Sequence, residues 1–172
     1  MEIAKTAVKL KSIGTADAKL VADWMRSPSL ATNLPELDRP EFRDERTWEA
    51  LSKSTDYVID LLVTDGTPIG LSVIYNIDQT SKSGYTGIAI FEKSMQGKGF
   101  GLRGKYAQLH KAFHKLGLTT VHTRVRGSND RVSKGLGAIG YRRGTPGGAK
   151  TGSDYVHHSL AKADWAGTKP LV

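Results

Sequence analysis

The spacing of apolar residues divides the first third of the chain into one strand and two helices. Alternating apolar and polar side chains over residues 8–13 predict a half-buried strand. Apolar residues then recur every three or four positions, which predicts a helix that Thr15 caps and that ends at residues 27–28. A loop over residues 30–39 leads to a second predicted helix over residues 40–53.

A hairpin and a further strand are predicted in the middle of the chain. Strand-like runs over residues 57–63 and 68–77 flank a Thr-Asp-Gly turn at residues 64–66, a pattern that favours antiparallel pairing. A polar loop over residues 78–84 separates them from a short β-type run over residues 85–91. We therefore expect three consecutive strands.

A glycine-rich turn at residues 96–101 connects the strand predicted over residues 85–91 to a long amphipathic helix. The helix is predicted over residues 100–116 and ends at Gly117. A strand over residues 119–125 follows at once, and a strand, helix and strand in this order require the two strands to be parallel. The apolar stripe predicted for the helix consists of Leu102, Tyr106, Leu109, Phe113 and Leu116.

The C-terminal part of the chain is predicted to hold one more helix and one more strand. Capping residues at 128–130 begin a helix that ends near Gly140. Residues 144–154 are rich in Gly, Thr and Ser and are expected to form a mobile loop before a last strand over residues 155–160. With no repeat and a poorly ordered tail to Val172, we expect one domain over 1–172, with parts at 1–84, 85–143 and 144–172.

Composition and charge narrow the classes of function. The 172 residues include 38% hydrophobic residues, enough for a single core. The 25 basic and 17 acidic residues give a formal charge of +8, which favours polyanionic partners or serves solubility alone. The absence of cysteine excludes disulfides and fits a reducing compartment. Since no run approaches the roughly 20 apolar residues of a membrane span, we expect a soluble cytoplasmic protein with no membrane partner.

The glycine-rich turn has two interpretations that imply different chemistry. Glycines let the backbone N–H groups approach a phosphate, and the helix that follows adds the positive end of its dipole. Gly99, Gly101 and Gly104 formally match the dinucleotide-binding pattern G-x-G-x-x-G. In that fold the glycines come directly after the first strand, whereas here residues 92–96 intervene, so the match is weak.

The second interpretation rests on several features in the same order and spacing. Gln96-x-x-Gly99-x-Gly101, followed by an Asn at position 129 and a Gly-aromatic pair at residues 140–141, resembles the cofactor-binding segments of the GNAT acetyltransferases. The resemblance covers residues 85–143. It implies an α/β fold of the α+β type, with a mixed, mostly antiparallel sheet of about six to seven strands, a parallel fourth and fifth strand, and about four flanking helices.

The resemblance also implies acetyl-CoA as co-substrate and no metal. The turn would bind the pyrophosphate through its backbone N–H groups and its cations, and Asn129 would either hydrogen-bond the pantetheine arm or cap a helix. The arm would pair with the backbone of residues 89–91, where the fourth and fifth strands separate. The expected cofactor-binding residues are Ala89, Ile90, Phe91, Gln96, Gly97, Lys98, Gly99, Phe100, Gly101 and Asn129.

The catalytic residues are less clear from the sequence. Several GNAT members carry a glutamate on the fourth strand as the base, and Tyr85 occupies that position here. It would either order a water molecule or pack on its neighbours. Many members place a tyrosine seven residues after the asparagine to protonate the thiolate, but this chain has Leu136, and Ser133 is the candidate substitute. His122 is another titratable candidate.

A histidine pair on the long helix and the identity of the acceptor complete the sequence-based expectations. His110 and His114 are spaced like metal ligands, but without a third ligand a solvated helix face is the simpler interpretation.

Without cysteine, transfer to an amine acceptor would be direct, in a ternary complex. An acidic protein or an RNA is a possible acceptor because of the basic residues Arg142, Arg143 and Lys150, and small amines also remain open as acceptors. A homodimer is a further expectation. The alternative function is a non-catalytic CoA-binding or RNA-binding module on the same fold.

Overall fold

A seven-stranded mixed sheet forms the centre of the fold in the computed structural model, which describes residues 7–27, 34, 37–144 and 155–165. Its order across the described residues is β1-β2-β3-β4-β5-β7-β6. The strands are β1 (Lys9–Ser12), β2 (Val58–Thr64), β3 (Thr67–Asp78), β4 (Ser83–Ile90), β5 (Thr120–Arg126), β6 (Arg142–Arg143) and β7 (Tyr155–Ala161).

Four α-helices flank the sheet in the described part of the chain. They are α1 (Ala18–Met25), α2 (Glu45–Leu51), α3 (Phe100–His110) and α4 (Asp130–Ile139), and a π-helical turn (Lys111–Lys115) extends α3. The mixed sheet and the four helices confirm the predicted fold class.

The helix predicted over residues 40–53 is divided in two. A 3-10 turn (Pro40–Arg43) precedes α2, because Asp44 between them has an extended backbone. The Asp44 carboxylate accepts a hydrogen bond from the backbone N–H of Arg46 at 2.9 Å, which caps α2. The Trp48 indole also donates to the Phe42 carbonyl at 2.6 Å and ties the two pieces together.

Strands β4 and β5 are parallel, as the crossover pattern predicts, but they stay paired over a short distance. Three residues of β4, from Ser83 to Tyr85, pair with residues 120–122 of β5. Beyond the pair of Tyr85 and His122 the two strands separate, and β5 continues in antiparallel register with β7. A V-shaped gap therefore opens between β4 and β5 toward the glycine-rich turn.

The helices divide the apolar core between the two faces of the sheet. Helices α1 and α2 cover one face, where Trp24 stacks on Phe91 with ring centroids 5.0 Å apart. Helices α3 and α4 cover the other face, with Phe113 and Leu136 in its core. Because side chains alternate along a strand, Tyr85 faces the α1 and α2 side, whereas its neighbour Thr86 faces α3.

Gly70 brings β3 close to β4 near the opening of the gap. A β-carbon at this position would lie 2.2 Å from the carbonyl oxygen of Ala89. We expect Gly70→Ala to lower the free energy of unfolding by about 2 kcal/mol, since a backbone atom must move to make room. Chemical denaturation would measure the change.

Gly137 provides the matched control for that substitution. It lies within α4, and a β-carbon there would meet no atom within 4 Å. Gly137→Ala should leave stability unchanged or raise it by up to about 1 kcal/mol, because alanine favours the helix. Equal effects of the two substitutions would contradict the close contact inferred at Gly70.

Several sequence-based expectations concern residues outside the described ranges. They include the end of the first helix at Pro28, most of the loop over residues 30–39, Lys150 with the loop around it, and the tail after residue 165. The assignment of the whole chain to one domain also stays a prediction.

Candidate functional site

The edge of β4 that borders the gap presents alternating peptide groups. The N–H of Phe91 donates to the Ile69 carbonyl at 2.8 Å, and the carbonyl of Ala89 points at Gly70, so both groups face β3. The carbonyl of Ile90 faces the opposite way and accepts a hydrogen bond from Gln96 Nε2 at 2.9 Å. Of the three residues predicted to pair with a pantetheine arm, Ile90 directs its carbonyl to the gap.

The glycine-rich turn forms an open cradle at the start of α3. Gly97 and Gly99 have φ angles of 71° and 84°, in the left-handed region, and Gly99 is the N-cap of the helix. Residues 96–99 are exposed, whereas the side chain of Phe100 is buried against Leu62 and Ile69. The exposed N–H groups and the helix dipole fit a pyrophosphate, and Phe100 anchors the turn to the core.

Two cations border this cradle. Lys98 is exposed within the turn. Arg131, on the first turn of α4, places its guanidinium 3.7 Å from the position that a β-carbon of Gly97 would occupy. Arg131 gives no signal in the sequence, because its approach to the turn depends on how α4 packs beside α3. Together these cations would offset the charge of a pyrophosphate bound at the turn.

Asn129 and Ser133 both lie at the start of α4. The side-chain oxygen of Asn129 accepts a hydrogen bond from the Val132 N–H at 3.3 Å, so its role as an N-cap is present. Its contact with a pantetheine arm stays a prediction. Ser133 is half-buried one turn later, on the helix that packs with α3, whereas the ring of Tyr85 lies on the other face of the sheet.

Tyr85 sits in a cluster of aromatic and basic side chains on the α1 and α2 face. Its ring lies 5.1 Å from that of His122 and 5.6 Å from that of His157, measured between centroids, and the Arg124 guanidinium lies 5.1 Å above it. Tyr75 continues the aromatic row on β3 with its centroid 5.7 Å away. We call Tyr85, His122, Arg124 and His157 the histidine cluster.

The two histidines of this cluster are hydrogen-bonded to each other. Nε2 of His157 lies 3.2 Å from Nδ1 of His122. Burial lowers the pKa of His122. Burial also lowers the pKa of His157, and the nearby charges of His122, Arg124 and His158 lower it further. Both imidazoles are therefore neutral at pH 7, so one of them can accept a proton.

A polar network lies on the opposite face of the sheet, beneath α3. Lys105 is 6% exposed, and its Nζ donates to Thr86 Oγ1 at 3.0 Å and to Gln108 Oε1 at 2.9 Å. Thr86 Oγ1 in turn donates to the carbonyl of His122 at 3.1 Å, across the closed end of the gap. Burial lowers the pKa of Lys105 to about 7 and raises the pKa of Tyr141, whose hydroxyl lies 3.5 Å from Thr86 Oγ1.

This network corrects the apolar stripe predicted for the long helix. Leu109 and Phe113 are buried as expected, but Leu102, Tyr106 and Leu116 are only half-buried. The centre of the buried face carries Lys105 and Gln108 instead. Neither residue gave a signal in the sequence, since charged and amide side chains on a helix normally face water.

The two histidines on α3 and its extension contact each other and an aromatic side chain. The rings of His110 and His114 lie 4.9 Å apart between centroids, and His114 also contacts Trp165 at 5.7 Å. Over the residues the structure describes, no group of three or more histidine or carboxylate side chains is placed to hold a metal ion.

The comparison with known families decides between the interpretations of the turn. Residues 8–142 match the family model of the acetyltransferase (GNAT) domain. The chain belongs to the GNAT acetyltransferase family. It is thus an acetyl-CoA-dependent N-acetyltransferase, as the resemblance implied, and the dinucleotide-binding interpretation is wrong.

Solved structures with the same fold include three acetyltransferases of low sequence identity. A probable acetyltransferase has a TM-score of 0.70 at 20% identity, covering 93% of this chain and 98% of its own. Spermidine N-acetyltransferase from Vibrio cholerae, solved with CoA and spermine, has a TM-score of 0.76 at 15% identity, covering 91% and 96%. Ribosomal-protein-S5-alanine acetyltransferase from Vibrio fischeri has a TM-score of 0.66 at 18% identity, covering 92% and 94%.

Neither a curated relative nor, among the described residues, a membrane-spanning helix was found. No curated protein matches the chain. In the described part of this GNAT acetyltransferase, no helix combines the length and apolar character needed to cross a membrane.

The cradle of this GNAT acetyltransferase can be tested at Gly99. Asparagine adopts the left-handed region more readily than other side chains, so Gly99→Asn should fold and yet place a side chain beside the exposed N–H groups. We expect the Kd for acetyl-CoA to rise at least about tenfold, since 1.4 kcal/mol of lost binding suffices. Isothermal titration would measure it.

Gly66, in the hairpin turn between β2 and β3, is the matched control. Its φ of 76° is similar and a β-carbon there also meets no atom within 4 Å. Gly66→Asn should therefore cost the same backbone strain and leave the Kd unchanged. An unchanged Kd in Gly99→Asn would place the pyrophosphate elsewhere.

Proposed function

We propose that this GNAT enzyme acetylates the α-amine of an amino acid residue, at a protein N-terminus or on an aminoacyl-tRNA, with His122 as the general base. The observation that supports this most is the neutral pair of His122 and His157 beside Tyr85 at the closed end of the gap. His122 is the more exposed of the two rings. It is therefore the one that an acceptor would reach.

The hydrogen bond between the rings determines which nitrogen acts as the base. When His122 Nδ1–H donates to His157 Nε2, the lone pair of His122 Nε2 faces outward. That nitrogen can take the proton of the attacking amine, while His157 holds the ring in the required tautomer and stabilises the imidazolium. Tyr85 packs against both rings and positions them.

The thioester reaches this base from the other side of the gap. A pantetheine arm spans about 13 bonds between phosphate and sulfur, or roughly 15 Å when extended. The four residue-to-residue steps along β4 from Ile90 back to Thr86 span about 13 Å. An arm that starts at the glycine-rich turn and follows β4 would thus bring its sulfur to the closed end of the gap, next to Tyr85 and Thr86.

The pKa of the acceptor favours an α-amine over a lysine or a polyamine. An α-amine with a pKa of about 7.8 is neutral in roughly one molecule of seven at pH 7, whereas a lysine with a pKa of about 10.4 is neutral in roughly one of 2,500. A base whose own pKa is below 6.5 can deprotonate the first far more readily. Direct attack on the thioester then releases CoA.

The charge of the site points the same way. In the histidine cluster the Arg124 guanidinium lies over the Tyr85 ring, and both histidine rings contact Tyr85. Spermidine, the acceptor named for the Vibrio cholerae enzyme, is a polycation and would bring several ammonium groups beside that guanidinium. An alanine is the residue named for the Vibrio fischeri enzyme, and the α-amine of an N-terminal residue carries a single charge that it loses before attack.

An acceptor screen tests the proposal. CoA release at pH 7 would be measured with a peptide that has an unblocked N-terminus and no lysine, a matched peptide with an acetylated N-terminus and one lysine, an aminoacyl-tRNA, and spermidine. We expect kcat/KM for one of the α-amines to exceed that of the lysine peptide and of spermidine by at least about 10², following the neutral fractions. Faster turnover of spermidine or of the lysine peptide would refute it.

The other site assignments belong to the same proposal. The pyrophosphate would bind at Gln96, Gly97, Lys98, Gly99, Phe100 and Gly101, and the arm would run along Ala89, Ile90 and Phe91 and past Asn129. An acidic protein or an RNA as acceptor and a homodimer stay predictions.

A further inference from the structure

Lys105 is a buried lysine at the closed end of the gap, on the face opposite the histidine cluster. Its Nζ lies 3.0 Å from Thr86 Oγ1, and Thr86 is the first residue of β4 after the last pair with β5. The Thr86 hydroxyl bridges to the carbonyl of His122. The closed end of the gap therefore has the His122 and His157 pair on one face of the sheet and the Lys105 and Thr86 pair on the other.

The reaction needs a proton donor at this place. When the acceptor nitrogen attacks the thioester and the C–S bond breaks, CoA leaves as a thiolate. The position at which many family members place a tyrosine for this step holds Leu136, which is 5% exposed in the apolar core. Ser133 lies on α4, and no contact among the described residues links it to Thr86.

We propose that Lys105 supplies the proton that the CoA thiolate takes up, relayed by the Thr86 hydroxyl. The Thr86 hydroxyl turns from the His122 carbonyl toward the thiolate and gives it its proton, and Thr86 Oγ1 takes a proton from the Lys105 ammonium, which becomes a neutral amine. Lys105 regains a proton from water before the next turnover. This step deepens the proposed function, because it rests on a thioester that lies at the closed end of the gap.

The surroundings of Lys105 suit a group that both holds and releases a proton. Its described hydrogen-bond partners are the Thr86 hydroxyl on β4 and the Gln108 amide oxygen on α3, with the Tyr141 ring 5.7 Å from Nζ, and none of them is a carboxylate. Without a fixed counter-charge the ammonium is held weakly, and burial brings its pKa to about 7. A thiolate whose conjugate thiol has a pKa of about 8.5 is therefore a favourable proton acceptor.

Gln108 keeps this lysine in place without fixing its charge. The amide nitrogen of Gln108 donates to Ser72 Oγ at 2.9 Å and to the carbonyl of Gly87 at 3.0 Å. Its oxygen is thereby directed toward Lys105. The nearest ion pair further along the helix joins Lys111 to Asp60, so that carboxylate already has a cation of its own.

Single-turnover kinetics of Lys105→Met test the relay. At pH 6.5 we expect acetyl transfer to slow by about 10², the lower end for a lost general acid, with little change in the Kd for acetyl-CoA. The ratio of the wild-type rate to the variant rate, in which the titration of the acceptor amine cancels, should fall as pH rises above about 7 and Lys105 loses its proton. The two rates should therefore converge near pH 9.

Two further variants separate proton transfer from packing. Thr86→Val keeps the volume and removes the hydroxyl, and it should slow transfer as much as Lys105→Met, with no additional loss in the double variant. Lys115→Met removes an exposed lysine from the same helical segment and should leave the rate of acetyl transfer unchanged.

A thermal scan at pH 7 should show Lys105→Met at least as stable as wild type, because the buried ammonium is gone.

The outcomes distinguish this inference from the proposed function. Transfer by Lys105→Met within about twofold of wild type, with no fall of the rate ratio at alkaline pH, would overturn the relay. The comparison uses whichever acceptor the screen shows to react, so a preference for spermidine would refute the α-amine proposal and leave the Lys105 result interpretable. His122 variants change the acidic limb of the pH profile, whereas Lys105 variants change the alkaline limb.

Discussion

Replacing His122 by phenylalanine should slow acetyl transfer by about 10³, within the range for loss of a general base. The phenyl ring keeps the packing against Tyr85, so the change removes the nitrogen atoms and little else. The wild-type rate should fall as pH drops below the lowered pKa of His122, where the imidazole becomes protonated and can no longer accept a proton. Across pH 5–8 the single-turnover rates of both proteins should fall as the acceptor amine is protonated, and wild type alone should show the additional fall from His122.

His157 and His110 supply the controls for this prediction. His157→Phe leaves the base present but removes the partner that fixes its tautomer, so we expect a smaller loss of about tenfold to 10². His110→Phe changes an exposed histidine on α3 and should have no effect. If His122→Phe kept its rate within about threefold and the additional fall at acidic pH, the base would have to be another group.

The local structure of the glycine-rich turn and of the start of α4 could be predicted from the sequence because its signals are local. The glycines at 97 and 99, the helix that starts directly after them and the cap at Asn129 all depend on neighbours within a few positions. The parallel pair of β4 and β5 also followed from a strand, helix and strand in immediate succession.

The histidine cluster could not be predicted because it depends on which strands lie side by side. His122 and His157 are 35 positions apart, and they meet because β7 inserts between β5 and β6 in the sheet. A single sequence does not reveal this order. Tyr85 could be placed on β4 by counting from the glycine-rich turn, but its neighbours could not.

The buried polar network around Lys105 was missed for a different reason. Lys105 and Gln108 interrupt the apolar stripe of α3, and hydrophobic spacing assigns such residues to the solvent side of a helix. In the structure they satisfy each other and the polar atoms of Thr86 and Ser72, so burial is tolerated. Apolar periodicity locates the helix correctly and cannot identify a buried polar network on it.

Loss of Lys111 should have the largest effect on stability among the substitutions considered. Its Nζ lies 2.7 Å and 2.9 Å from the two carboxylate oxygens of Asp60, whose side chain is 2% exposed. Lys111→Met would leave that carboxylate buried with only the Ser12 hydroxyl, at 3.4 Å, as a described partner. We expect a loss of about 3 kcal/mol, because an unpaired buried charge is costly, and a fall in Tm of roughly 10 °C.

A double-variant cycle shows whether this cost comes from the stranded charge. Asp60→Asn combined with Lys111→Met removes both charges and should recover about 2 kcal/mol relative to Lys111→Met alone. Lys19→Met breaks an exposed pair with Asp23, whose side chains are 74% and 47% exposed, and should cost less than about 0.5 kcal/mol. Lys111 begins the π-helical turn that extends α3. Full recovery of stability in the double variant would mean that this turn is held by its apolar contacts at Phe113. No recovery would mean that the aliphatic stem of the lysine packs the turn against β2.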